Sequence, residues 1–108
     1  MITVKYDRRK DVLYAREHDA RISRSCEHPI DNDLVFNYSH DGRVVGVQIF
    51  FASGLLGMWD THPGRRRLPN ELRAEVDRFF SWLDAGPKDP ERCASRQVPP
   101  EWLLAATT

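Results

Sequence analysis

The sequence predicts an α+β fold, in which a small antiparallel sheet of four to five strands is built from hairpins and one amphipathic helix packs on one face. Three observations predict it. Apolar and polar residues alternate at the N-terminus, an Asp-Gly pair separates two apolar runs, and an apolar stripe with helical spacing follows the last strand. With 41% hydrophobic and 30% charged residues, a chain of 108 residues is sufficient for one such domain.

The first hairpin is predicted from two short apolar runs that flank a charged turn. Residues 2–6 alternate between apolar and polar side chains, as a half-buried strand does, and residues 12–15 form the second run. The turn between them carries three consecutive cations between two acids, namely Arg8, Arg9 and Lys10. A polar edge strand is predicted around residues 21–26.

The second hairpin has the clearest local signal. Residues 34–38 place apolar side chains at every second position, and residues 44–51 return as the partner strand. Asp41 and Gly42 lie between them, and this pair favours a hairpin turn because glycine tolerates a positive φ. The strands together occupy about residues 2–53.

A helix is predicted over about residues 69–85. Large apolar side chains recur there at spacings that place them on one stripe: Leu68, Leu72, Val76, Phe79, Phe80 and Leu83. Pro69 suits the first helical turn, and Gly86 followed by Pro87 is a stop signal. The segment before the helix is predicted to be a loop. Residues 1–86 therefore form the domain, and residues 87–108 form a C-terminal tail that Trp102 could dock.

Charge and cysteine content exclude several classes of protein. Sixteen Lys and Arg balance sixteen Asp and Glu, which argues against a general nucleic-acid binder and against an acidic mimic of DNA. Charged residues interrupt the N-terminus, so no signal peptide is predicted. The uncharged stretch from Val44 to Trp59 is too short for a membrane span, and glycines interrupt it. Cys26 and Cys93 fit no disulfide framework, which favours reduced thiols and a cytoplasmic location, although pairing of the two remains open.

No catalytic site, metal site or cofactor is predicted. Cys26 and His28 offer ligand types for zinc, but the sequence contains no second closely spaced ligand pair. Ser23, Ser25 and Asp31 supply residue types of a catalytic triad without a motif that would set its geometry. A small hydrolytic enzyme is therefore the least favoured interpretation.

Motifs in the first half resemble a known family. They are Tyr6-Asp7, Asp11, Leu13-Tyr14, Glu27, Asp33, Val35, Tyr38 and Asp41-Gly42-Arg43-Val44-Val45-Gly46-Val47 with Ile49. In this order and spacing they resemble bacterial domain-of-unknown-function family 2283, whose pattern is roughly Y-D-x-x-x-D-x-L-Y followed by D-G-x-V-V-G-I-E-I-L. The resemblance covers about residues 2–53 and implies a small antiparallel sheet, but no activity. Asn37 and Gln48 stand where the family usually has acids, which argues against an acid-based enzyme.

The candidate interaction residues are aromatic or cationic. Trp59, Trp82 and Trp102 are candidates for binding a protein partner, with packing in the core as the alternative. Two clusters are candidates for an acidic partner or nucleic acid, with solvated loops as the alternative: Arg8, Arg9 and Lys10, and Arg65, Arg66 and Arg67.

The leading hypothesis is a non-enzymatic protein–protein interaction or regulatory module of bacterial or phage origin, with an unidentified partner. Homodimerisation is compatible with it, since the sheet edges need to be covered. The alternative is a nucleic-acid-binding regulator, antitoxin-like or anti-defence, that uses a local Arg cluster.

Overall fold

Five antiparallel strands form a single sheet in the computed structural model, which describes residues 1–84. The strands are β1 (Ile2–Asp7), β2 (Val12–Glu17), β3 (Arg24–Glu27), β4 (Leu34–Tyr38) and β5 (Val44–Phe50), and the helix α1 spans Asn70–Asp84. Their order across the sheet is β1-β2-β5-β4-β3. The predicted α+β fold is confirmed, and the weakly patterned edge strand is present as β3.

The hairpin between β4 and β5 closes around a glycine. The Ser39 N–H donates to the Arg43 carbonyl (2.9 Å), and the Gly42 N–H donates to the Ser39 carbonyl (3.0 Å). Gly42 has a φ of 84°, a conformation that side chains disfavour. The ladder shifts register opposite Asn37 and Tyr38, so β5 contains one residue more than β4 at this point.

The core lies between one face of the sheet and α1. The strands contribute Val4, Tyr6, Leu13, Ala15, Leu34, Phe36, Val47 and Ile49, and the helix contributes Leu72, Val76, Phe79 and Phe80. The helix packs mainly over β1 and β2, where the ring centroids of Tyr6 and Phe79 are 4.8 Å apart. The apolar stripe that predicts the helix is therefore the surface that the helix buries.

The segment between β5 and α1 covers the rest of this face, and here the prediction of a loop was wrong. It forms three short 3₁₀ turns, Ala52–Leu55, Trp59–Thr61 and Pro63–Arg67. Such turns follow a three-residue repeat over too few residues to leave a periodic apolar pattern, so no local pattern predicts them. Trp59 is buried in the second turn, with 3% of its surface exposed.

The other face of the sheet carries mixed side chains. Strand register aligns one row across all five strands, consisting of Lys5, Tyr14, Gln48, Val35 and Glu27. These five side chains are exposed or half-buried. None of the helices in residues 1–84 is long and apolar enough to cross a membrane. The predictions for the helix stop at Gly86-Pro87, for Trp102 and the tail, and for Cys93 fall outside the described residues.

Candidate functional site

The tip of the first hairpin is anchored to the end of β5 by Asp11. The Asp11 carboxylate accepts hydrogen bonds from the Tyr6 hydroxyl (2.6 Å) and from the N–H and hydroxyl of Ser53 (3.1 Å from the nitrogen to each oxygen). Its carbonyl also accepts from the Ala52 N–H (2.9 Å). Burial, reinforced by the hydrogen bond to Asp11, raises the pKa of Tyr6, so the hydroxyl stays a donor. The first hairpin and the end of β5 are thus held together by side-chain and backbone bonds.

The carboxylates at this tip accept hydrogen bonds from within the protein. Asp7 accepts from the backbone N–H groups of Arg9 (3.0 Å) and Lys10 (3.1 Å), which fixes the turn. Arg8, Arg9 and Lys10 are all exposed. Among residues 1–84, no ion pair involves Arg9 or Lys10. The turn therefore presents positive charge to solvent.

Two phenylalanines lie next to this turn with their rings exposed. Phe50 pairs with Val12 at the end of the β2–β5 ladder and is 38% exposed, and Phe51 is 64% exposed. Phe51 has φ 53° and ψ 50°, the left-handed region in which a bulky side chain is rare. We define the tip surface as Arg8, Arg9, Lys10, Phe50 and Phe51.

The sequence contained a signal that at least one of these two rings is exposed. Adjacent residues of a strand point to opposite faces, so Phe50 and Phe51 cannot both enter one core. The strand prediction over residues 44–51 includes both of them, whereas β5 ends at Phe50. The left-handed turn at Phe51 directs the chain into the first 3₁₀ turn, and its carbonyl accepts the Gly54 N–H (3.0 Å).

Replacing Phe51 with glycine is expected to raise the free energy of unfolding by up to about 1 kcal/mol, because glycine adopts the left-handed conformation without strain. Phe51→Ala keeps the strain and loses the ring contacts, so it should be destabilising. Urea unfolding followed by circular dichroism measures both variants. A larger loss of stability in Phe51→Gly than in Phe51→Ala would contradict the expectation.

The second arginine cluster is partly engaged within the protein. Arg65 forms a two-point ion pair with Asp77, from Nε to Oδ1 (3.0 Å) and from Nη2 to Oδ2 (2.7 Å). The guanidinium of Arg67 lies 5.7 Å from the ring centroid of Phe36. Arg66 is exposed, and no ion pair of it is found within residues 1–84. Arg67 is exposed as well and has no ion pair in that range, so this cluster leaves two exposed cations, Arg66 and Arg67.

The fold does not place the two cationic clusters side by side. Residues 63–67 lie against the β3–β4 side of the core face, where Gly64 approaches Leu34 closely and Arg67 lies over Phe36. The first cluster lies at the tip of the β1–β2 hairpin, and β5 separates that hairpin from β4. The strand order therefore separates the two clusters, which do not form one joint patch.

The tryptophans differ in their accessibility. The Trp59 indole N–H donates to Asp77 Oδ1 (2.7 Å), and its ring stacks on Phe80 with centroids 5.1 Å apart. Trp82 is half-buried and lies near the rings of Tyr6 and Phe79. Trp59 is therefore enclosed by the core, whereas Trp82 is partly accessible to solvent.

Two histidines and an acid form a polar cluster that joins the β3–β4 turn to the 3₁₀ segment. His62 Nδ1 accepts the Gly64 N–H (2.9 Å), so Nε2 carries the ring proton and donates to Asp31 Oδ2 (2.9 Å). His28 Nδ1 accepts the N–H groups of Ile30 (3.1 Å) and Asp31 (3.3 Å). Three ring nitrogens are thus occupied by bonds within the fold, so the cluster is a structural link.

Protonation states in this cluster follow from burial and neighbours. Burial lowers the pKa of His28, and the charge of Arg67 and that of His62 in its protonated form lower it further, against the opposing effect of Asp31. Burial raises the pKa of Asp31, but hydrogen bonds from His62 and from the Asp33 N–H outweigh it and leave that pKa below its usual range. Within residues 1–84, no three His, Cys, Asp or Glu side chains converge on a metal position.

Lowering the pH from 7 to 5 is expected to reduce the free energy of unfolding, with His28 as a principal cause. Its pKa is lower in the folded protein than in the unfolded chain, where it is about 6.5, so the unfolded chain takes up the proton first. His28→Asn should flatten this dependence, whereas His40→Asn, at an exposed site, should not. Urea unfolding at each pH measures the free energy of unfolding. An equal dependence on pH in the wild type and in His28→Asn would contradict the role given to His28.

Comparison with known proteins agrees with the motifs in the first half. Residues 3–53 match the family model of DUF2283, a protein of unknown function. The resemblance inferred from the sequence is thereby confirmed for this segment. No curated protein and no solved structure matches the chain.

The geometry explains several residues of the DUF2283 pattern. Asp7 fixes the turn, Asp11 joins the hairpin to Ser53, and Gly42 adopts the left-handed φ of the second hairpin. At Gly46, an added Cβ would lie 2.9 Å from Asn37 Oδ1 and 3.1 Å from the Ala15 carbonyl. These four positions maintain the sheet, so the motif is a folding signature in this chain.

Proposed function

We propose that this protein is a non-enzymatic module that binds another protein through the tip surface. The observation that carries the proposal is the exposure of Phe50 and Phe51 beside three cations on an anchored hairpin. Exposed aromatic rings and arginine are the residue types that contribute most to protein interfaces. A regulatory role in the bacterial cytoplasm fits a small module of this kind.

Backbone strain supports an assignment to Phe51 in particular. A left-handed conformation costs about 1–2 kcal/mol for a residue with a side chain. The ring recovers little of this by burial, since 64% of the residue is exposed. Strained residues are concentrated at functional sites, where the strain keeps a group in position. Contact of the Phe51 ring with a partner would therefore account for the strained backbone at this residue.

The contacts of the second cluster favour this function over nucleic-acid binding. Phosphate contacts need several cations on one surface. Arg65 is paired with Asp77, which leaves two exposed cations in this cluster, Arg66 and Arg67, against three on the tip surface. Self-association through the tip surface is disfavoured as well, because a two-fold contact would bring like charges together. A different protein is therefore the proposed partner.

The test compares variants that remain folded. Wild type, Phe51→Gly, the double variant Arg9→Glu/Lys10→Glu and the control Arg66→Glu are used to recover proteins from a bacterial lysate. Affinity for the recovered protein, once purified, is then measured by calorimetry. Loss of about tenfold or more in affinity is expected for the two tip variants, whereas the control should bind as the wild type does.

Two results would refute the proposal. One is a partner that binds all four proteins with equal affinity, or no specific partner at all. The other is sedimentation showing that the protein forms a dimer that the tip variants abolish, since the partner would then be a second copy. Circular dichroism of each variant shows whether it is folded, so that a loss of binding can be distinguished from a loss of structure.

A further inference from the structure

We infer that the segment of the partner that docks on the tip surface is acidic and carries an apolar side chain. This inference rests on the proposed function and specifies the chemistry of its partner. It is argued from the charges at the end of the sheet, from the exposed rings and from their relative positions.

The charge argument starts from the two acids that flank the cations. The Asp7 carboxylate receives two backbone N–H groups of the turn, and the Asp11 carboxylate receives the Tyr6 hydroxyl and Ser53. Both acids are therefore directed to internal donors, although they look like counter-ions in the sequence. Arg9 and Lys10 form no ion pair with any residue in the range 1–84. Carboxylates of a partner would complement them.

The apolar requirement comes from the neighbouring rings. Phe50 and Phe51 follow one another directly at the end of β5, and both are exposed. The Phe51 ring also lies over Gly54, where an added Cβ would be 2.5 Å from the ring atoms Cδ2 and Cε2. Part of the Phe51 ring thus lies against the protein, and an apolar side chain of the partner would cover the exposed ring surface.

The position of Asp33 gives the docked segment a direction. The Phe50 N–H donates to the Asp33 carbonyl (2.7 Å), so Asp33 lies on the β4 side of the rings, opposite the cationic turn. Asp33 is exposed. The partner's carboxylates should therefore lie toward the β1–β2 turn, with its apolar side chain over the rings and away from Asp33.

Synthetic peptides test the inference directly. Three short peptides of equal length are used: one alternates Glu with Phe and Leu, one replaces every Glu with Lys, and one replaces every Phe and Leu with Ser. We expect only the first peptide to bind. Its affinity should fall about tenfold in Arg9→Glu/Lys10→Glu and in Phe51→Gly. Arg66→Glu should bind like the wild type. Asp33→Asn should bind about twofold more tightly, and added salt should weaken binding.

The outcomes separate this inference from the proposed function. If the tip variants lose the recovered protein partner but no acidic peptide binds, the acidic segment is wrong and the binding function stands. If neither partner nor peptide depends on the tip surface, both are wrong. Equal binding of the Lys peptide, or tighter binding of a single-stranded oligonucleotide or an anionic vesicle than of the acidic peptide, would also overturn the inference.

Discussion

Replacing Asp11 with alanine is expected to lower the free energy of unfolding by about 3 kcal/mol. The change removes the acceptor of the Tyr6 hydroxyl, which belongs to a buried residue, and the acceptor of two donors of Ser53. It also leaves a non-glycine residue with φ 56° without the polar side chain that favours this conformation. The hairpin should then separate from the end of β5.

The measurement is urea unfolding followed by circular dichroism, with Asp7→Ala as the matched control. Asp7 accepts only from exposed backbone N–H groups of the turn, so its loss should cost less than half as much. Asp11→Asn retains an acceptor and tolerates the left-handed φ, so it should lie between the two. Equal losses in Asp7→Ala and Asp11→Ala would refute the role given to Asp11.

Replacing Asp77 with alanine is expected to lower the free energy of unfolding by about 2–3 kcal/mol, the second-largest effect. Its carboxylate accepts the indole N–H of Trp59, whose ring is buried, and holds Arg65 in a two-point ion pair. Removing the carboxylate leaves a buried donor without an acceptor. Arg65→Gln is the control, because it keeps the Trp59–Asp77 bond and should cost less. Tryptophan fluorescence should also change in Asp77→Ala and much less in the control.

The same carboxylate contributes to acid sensitivity. Burial raises the pKa of Asp77, but hydrogen bonds from Arg65 and Trp59 outweigh it, so the pKa lies below its ordinary range. The carboxylate's contribution to stability is therefore present above pH 4 and lost as the pH falls through the folded pKa. Asp77→Asn should be destabilised at neutral pH and show a shallower loss at low pH. If Asp77→Asn lost stability at low pH as steeply as the wild type does, this expectation would be contradicted.

The placement of the tip surface shows how local pattern and tertiary structure divide the information. The cations Arg8, Arg9 and Lys10 can be located from the charged turn alone. Whether these cations lack an internal counter-ion cannot be inferred from the turn. The carboxylate of Asp11 accepts hydrogen bonds from Ser53, which lies 42 positions further along the chain. The same applies to Arg65, whose partner Asp77 is 12 positions away and projects from the helix.

The sequence by itself predicted four to five strands, the glycine turn at Gly42, the helix and the family pattern, because alternation, helical spacing and turn chemistry are properties of neighbouring residues. Only the tertiary structure decided that Trp59 is buried, that Phe51 is exposed in a left-handed conformation and that the two cationic clusters are separated. Those outcomes depend on contacts between residues that are far apart in the chain, and local sequence patterns do not predict such contacts.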